Sequence, residues 1–225
     1  SLESSYFRTK FEPDLPMFHG NKGIGVISDN EDQPILISSH LGTFGIVTVS
    51  KINNIAELSE EAFKKNKHFG ETGTVGINPS ELVAMLISEQ GSFEEGIAYA
   101  QEAIKGSCSM LLLTKEGIFA ARDKLGRTPI IIGKKDGAYA ASSETCAFPN
   151  LGYEIDKYLG PGEIILIKED GCEQKKKPGE AMQVCSFLWV YYGYPASSYE
   201  GINVEEVRYR CGNALAKNDD VDIDF

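Results

Sequence analysis

The stretch that most constrains this chain runs from Ala120 to Phe148, AARDKLGRTPIIIGKKDGAYAASSETCAF, because one unit holds a strand end, an arginine–aspartate loop, a hairpin and a turn. Ile118 to Ala121 reads as a buried strand. Arg122, Asp123 and Lys124 then break the apolar run, and Gly126 followed by Thr128-Pro129 forces a loop. Ile130-Ile131-Ile132 resumes as a strand, Lys135-Asp136-Gly137 is a hairpin turn, and Ala138 to Ala141 returns antiparallel. This pattern predicts a β-meander, not a βαβ unit. The small residues Ala138, Ala140, Ala141 and Ser142 leave room for another layer to approach closely. Two readings stand for Arg122 and Asp123: an ion pair that anchors the loop, the commoner use of such neighbours, or a catalytic pair.

The rest of the chain predicts segregated helices and mostly antiparallel strands, the α+β pattern. Ile24 to Ile27, Ile35 to Ile37 and Phe44 to Val49 read as strands, with His40-Leu41-Gly42 turning between the last two. A helix is expected from Ile55 to about Lys65. Asn78-Pro79-Ser80-Glu81 sets an N-cap, a proline at the first helical position and a glutamate placed for a capping box. Ser92-Phe93-Glu94-Glu95 repeats the signal before a second helix bearing Ile97, Ala100, Gln101 and Ile104. Met110 to Leu113 and Glu163 to Ile167 add strands. Phe187, Trp189, Tyr191, Tyr192, Tyr194 and Tyr199 alternate as a strand would and read as core or interdomain packing. Asp219 to Phe225 looks like the opening strand of another unit.

Length and charge exclude several classes. A chain of 225 residues can bury one good-sized core, or one domain and part of a second. Its 42% apolar and 24% charged residues are ordinary for a soluble globular fold, and no apolar run reaches a membrane span. A net charge of −11 argues against nucleic acid, and the run Lys175-Lys176-Lys177 reads as a solvated loop. The cysteines at 108, 146, 172, 185 and 211 are odd in number and lack CxxC spacing, so neither a disulfide framework nor a zinc site is expected. Cys108 and Cys146 are expected to be buried and inert. His19, His40 and His68 have no paired carboxylate or cysteine nearby in sequence. The start, Ser1 to Ser5, is polar and acidic where a secretory signal would be basic then apolar. A cytoplasmic, reducing setting fits.

Several ordered motifs together resemble the glutaminase half of amidophosphoribosyltransferases, enzymes that make phosphoribosylamine for purine synthesis. They are A-R-D-x-L-G-x-x-P at Ala121 to Pro129, the run from Gly137 to Ala147, and P-G-E at Pro161-Gly162-Glu163. Cys185 to Tyr192 is similar to the family's C-x-F-E-x-V-Y-F segment, and Gly212 to Ala216 continues the likeness. The resemblance implies a four-layer αββα sandwich of the N-terminal-nucleophile type, its first strands missing or supplied separately. It also implies an amidotransferase-like domain over residues 1–184, then a connecting segment over 185–225 leading into a phosphoribosyltransferase-like domain.

In that family an N-terminal cysteine attacks the side-chain amide of glutamine with its own α-amino group as base. This chain begins with Ser1, followed by Leu-Glu-Ser-Ser, and a boundary or cleaved end is the better reading. The family's arginine for the glutamine carboxylate is replaced by Ser28, with Asp29 beside it. Val49 and Ser50 stand where the oxyanion-hole asparagine and glycine belong. Pro79 replaces the aspartate for the glutamine amino group. Arg122, Asp123, Gly126, Glu144 and Gly162 keep the family motif.

The expectation is therefore a glutaminase-like domain that has lost glutamine hydrolysis and serves a structural or regulatory role. Two alternatives stay open: an active amidotransferase whose cysteine segment is missing from this chain, and an oligomerisation or interaction module. No cofactor is expected in the chain itself. The resemblance makes Cys185 a candidate for one iron–sulfur ligand, its other ligands lying beyond the chain, with a small core residue as the equal alternative. Magnesium with phosphoribosyl pyrophosphate would belong to the linked phosphoribosyltransferase-like domain. The expected partners are that domain and further copies in a homo-oligomer, with no nucleic acid and no membrane.

Overall fold

A computed structural model describes residues 9–28, 31–70, 72–73 and 76–221. Readings made on Ser1, Asp29 and the run after Val221 lie outside the described residues. Strands β1 (Ile35–Ser39) and β2 (Gly42–Ile52) form a hairpin whose turn needs Gly42 at φ 102°. Helix α1 (Ile55–Lys64), the small ladder of β3 (Thr72–Gly73) with β4 (Gly76–Ile77), and helices α2 (Pro79–Ile87) and α3 (Phe93–Ala103) come next. They are followed by β5 (Gly106–Leu113), β6 (Ile118–Ala121), β7 (Ile131–Lys135), β8 (Ala138–Ser142), helix α4 (Ala147–Asn150), β9 (Glu154–Tyr158), β10 (Ile164–Lys168) and β11 (Gly171–Lys176). Further on lie the π-helical turn Leu188–Tyr192, the short strands β12 (Ser198–Tyr199) and β13 (Ile202–Asn203), and helix α5 (Val204–Lys217).

Two antiparallel sheets stack. One has the order β1-β2-β5-β6-β10-β11 and the other β8-β7-β9. Because side chains alternate across a strand, each central strand of the larger sheet feeds two cores. Met110, Leu112, Phe119, Ile164 and Leu166 face the helices, where they pack on Leu82, Val83, Leu86 and Ile97. Ala120, Ile165 and Ile167 face the smaller sheet and meet Ile130, Ile132 and Leu159. On β7, Ile132 points inward, so its neighbour Gly133 points outward. The Phe148 ring of α4 occupies the space where a Gly133 side chain would be, 2.3 Å from an added Cβ. The order of layers is thus helices, large sheet, small sheet, helix, which is the expected αββα sandwich.

The capping signals do what their chemistry requires. The Asn78 side chain accepts the Ser80 N–H at 2.9 Å, and Ser92 Oγ accepts the Glu95 N–H at 3.2 Å. Glu81 also accepts the Gly70 N–H at 2.7 Å, tying the preceding loop to α2.

Four expectations need correction. The expected meander does not form: β6 belongs to the large sheet and the β7–β8 hairpin to the small one, so the loop after Ala121 crosses between sheets. Among the described residues Ile24 to Ile27 forms no strand; Ile24 instead packs over Gly45, its Cδ1 3.4 Å from an added Cβ there. Lys175 and Lys176 are strand residues on the sheet edge, where charge discourages further pairing. Lys175 bridges Glu94 and Glu173, each at 2.8 Å, Lys176 donates to Gln101 at 2.9 Å, and only Lys177 lies in the loop. The aromatic run at 187–192 is a π-helical turn, not a strand, which gathers Phe187, Tyr191 and Tyr192 into one exposed ring cluster. Trp189 and Tyr199 do pack, edge to face at 5.8 Å.

Helices α2 and α3 approach closely at Gly96, where an added Cβ would stand 2.4 Å from the Ile87 carbonyl oxygen. Alanine would gain about 1 kcal/mol in helix propensity. The neighbour is backbone and cannot rotate away, and such overpacking costs about 1–3 kcal/mol. At a 2.4 Å approach to backbone the upper end of that cost applies, so Gly96→Ala is predicted to lower stability by about 2 kcal/mol in urea unfolding; an unchanged or raised midpoint would contradict this packing.

Candidate functional site

The loop that crosses between the sheets, residues 122–130, carries the densest polar network. Consecutive residues at a strand end point to opposite sides, and Arg122 and Asp123 accordingly part company. Arg122 is fully buried. Its Nη1 donates to the Leu159 carbonyl, and its Nη2 donates to the Gly126 carbonyl at 2.6 Å and to Glu200 Oε1 at 2.6 Å. Gly126 sits at φ 68°, and a side chain there would press on the Arg122 guanidinium, 3.3 Å from Nε. Asp123 accepts the Thr128 N–H at 2.8 Å and the Leu125 N–H at 3.2 Å, while its own N–H donates to Ser109 Oγ at 3.0 Å. Both residues hydrogen-bond within the loop, but the ion pair read between them does not form: the salt bridge of Arg122 is to Glu200.

Glu144 is a second hub. Its Oε2 accepts from Ser197 Oγ and, at 3.6 Å, from Cys146 Sγ, and its Oε1 accepts from Tyr199 at 2.7 Å. Burial, and then the bond to the Glu144 carboxylate, push the Tyr199 hydroxyl well above the ordinary tyrosine pKa. Gly162 takes φ 68° in the turn before Glu163. Buried Glu163 accepts from Lys157, Gln174 and, at 2.8 Å, the Gly160 N–H. These motif residues all hold segments together.

Of the positions read as changed from the family motifs, Val49 and Ser50 border open space beside β2. Gln33 mimics a strand there: its Oε1 accepts the Thr48 N–H at 2.7 Å and its Nε2 donates to the Thr48 carbonyl at 3.2 Å. Next along β2, Val49 pairs in register with Ser109 and its side chain is 49% exposed. Val49 lines two neighbouring cavities, of about 370 Å³ and about 520 Å³. Gly25, Val26 and Ile27 line the smaller and Ser50 the larger. Ser28 follows that wall segment, is exposed, and accepts the Glu31 N–H at 3.2 Å. Pro79 stands apart from both cavities at the first turn of α2, between Asn78, which donates to the Asp32 carbonyl at 3.2 Å, and Ser80, bonded to Thr48 Oγ1 at 2.8 Å.

Among the described residues no group of three or more histidines, cysteines or acids could hold a metal. Cys185 is partly buried on the wall of the larger cavity and supplies one thiol where an iron–sulfur cluster needs four, so the described residues do not fit such a cluster. Cys108 is buried as expected, and burial, with the Asp123 and Glu31 charges adding to it, drives its thiol pKa far up. Cys146 is only partly buried.

A sequence profile described as a glutamine amidotransferase domain matches residues 21–150, more than half of the chain. The chain belongs to this family. Amidophosphoribosyltransferases are among its relatives: that of Archaeoglobus fulgidus is 28% identical over 86% of this chain and 42% of the relative. That of Staphylococcus aureus (strain MRSA252) is 31% identical over 92% of this chain and 40% of the relative. The solved glutamine phosphoribosylpyrophosphate amidotransferase of B. subtilis, complexed with ADP and GMP, superposes with a TM-score of 0.77 at 26% identity, covering 85% of this chain and 42% of that one. The chain thus spans about two fifths of the length of these relatives. Among the described residues no helix is long and apolar enough to cross a membrane.

Sequence reasoning passed over Gln33 as a strand mimic, and over Ser197, Tyr199 and Glu200 as the partners of Glu144 and Arg122. Sequence distance, 78 residues for Arg122 and Glu200, hid these partners. Glu200→Gln keeps the shape of the contact but leaves a fully buried guanidinium without its counter-charge. It is predicted to cost about 3 kcal/mol in urea unfolding; a stability equal to that of the wild type would contradict the assignment.

Proposed function

We propose that this glutamine amidotransferase domain has lost glutamine hydrolysis and acts as a structural or regulatory domain of an amidophosphoribosyltransferase-like protein, linked to a phosphoribosyltransferase-like domain and working in the cytoplasm. Val49 carries this reading. In the resemblance it occupies an oxyanion-hole position, and an isopropyl group has no proton to offer a developing oxyanion. Loss of one such donor typically slows acyl transfer about 100- to 1,000-fold. Ser28 offers no charge for a substrate carboxylate, and Pro79 offers neither charge nor donor for an amino group.

The polar residues kept from the family motif support the same reading from the other side. Arg122, Asp123, Glu144 and Glu163 spend their hydrogen bonds on backbone and on neighbouring segments, which a retained scaffold requires and glutamine turnover does not. The exposed rings of Phe187, Tyr191 and Tyr192 give the interaction-module alternative its one specific observation, an apolar surface on the connecting segment.

Glutamine-dependent ammonia release by the full-length protein is the test. The expected rate is at least about 100-fold below that of an intact amidotransferase assayed alongside. A comparable rate would overturn the proposal and favour an active enzyme completed by a segment outside this chain.

A further inference from the structure

The larger cavity lies at a seam. One wall comes from the sandwich through β2, β5 and the crossing loop, and the other from the connecting segment through Cys185, Leu188, Tyr192 and Tyr199. Two cations stand on the sandwich wall, Lys51 and Arg127. Among the described residues neither of these two forms a salt bridge, so both charges are left uncancelled on the cavity wall.

Arg127 is held by neutral acceptors, its Nη1 on the Gly106 carbonyl at 3.2 Å and its Nη2 on Gln183 Oε1 at 2.9 Å. Those bonds orient the guanidinium without cancelling its charge. The acid in the lining, Glu144, is already engaged by Ser197, Tyr199 and Cys146. Ser107 and Thr128 add hydroxyls beside the cations, and Leu188 and Tyr192 supply an apolar face opposite. A volume of about 520 Å³ is the size of a small-molecule site.

We infer that this seam binds a small organic anion, a carboxylate or phosphate monoester on a ring-sized apolar body, with the oxyanion between Lys51 and Arg127 and the body against Leu188 and Tyr192. Such a ligand would touch both walls and fasten the connecting segment to the sandwich. Such binding rests on the charges of Lys51 and Arg127 and holds whether or not glutamine is hydrolysed, although Val49 and Ser50 share the cavity wall.

The chain's one tryptophan reports on the site, because Trp189 packs on Tyr199 of the cavity wall, ring centroids 5.8 Å apart. The full chain would be titrated with phenyl phosphate, benzoate and neutral benzyl alcohol while following Trp189 fluorescence and protein NMR shifts. At least one anion is expected to saturate with a dissociation constant about tenfold or more below that of benzyl alcohol, and to weaken as salt is raised. Whichever anion binds tighter distinguishes a phosphate site from a carboxylate site.

Lys51 is exposed, so Lys51→Glu is expected to keep the melting temperature and lose about tenfold or more in anion affinity. Arg127→Gln is expected to do the same; should it fail to fold, Lys51→Glu decides alone. Equal binding of benzyl alcohol, wild-type anion affinity in the folded variants, or no saturable response to either anion would overturn the inference.

Discussion

A guanidinium with no exposed surface organises this molecule. Removing an ion such as Arg122 from water costs several kcal/mol even after relaxation, so the fold must answer its charge; both terminal nitrogens are bonded, while the buried Nε has no hydrogen-bond partner. The answers come from three distant places: the Gly126 carbonyl in the crossing loop, the Leu159 carbonyl after β9, and the Glu200 carboxylate between β12 and β13. Arg122 therefore joins both sheets and the connecting segment at one point. Glu200 itself adopts φ 51°, a region costing about 1 kcal/mol or more for a residue with a side chain. The ion pair over-determines that conformation. Glu144 provides a second tie between the same two parts through Ser197 and Tyr199.

This division of labour accounts for how a motif-rich scaffold could tolerate the changes proposed at the glutamine positions. The anchoring groups are buried and answer one another, so a change at any one leaves an uncompensated charge or orphaned carbonyl. Val49, by contrast, is half exposed on a strand whose ladder needs only its backbone, and Ser28 is exposed on an unpaired segment. Substitutions there leave the packing of both cores untouched. The open space beside Val49 lies between the two sheets, walled by Val47 and Thr48 of β2, Ser109 of β5 and Ala141 and Ser142 of β8.

Much of the fold was legible wherever a local signal carried it. Asn78-Pro79 and Ser92 announced α2 and α3 through capping chemistry, and short apolar runs with the Lys135-Asp136-Gly137 turn announced β10 and the β7–β8 hairpin. The assignment of strands to sheets was not legible, because the loop from Arg122 to Ile130 reads the same whether it turns within a sheet or crosses between two. The tyrosine-rich run misled for a related reason: alternation over five residues also fits a π-helical turn, and what decides is Trp189 finding Tyr199 and the Ile202 carbonyl. At the candidate site the altered residues could be named in sequence, but Lys51 and Arg127 could not be associated, since only the fold brings β2 and the crossing loop to one cavity.

We propose a preserved scaffold around a pocket that no longer performs glutamine chemistry. Intact-protein mass spectrometry of the full-length protein, incubated with an electrophilic glutamine analogue beside an active amidotransferase, tests it most directly. The account predicts an unchanged mass while the active enzyme gains one adduct. A stoichiometric single adduct, blocked by excess glutamine, would contradict it.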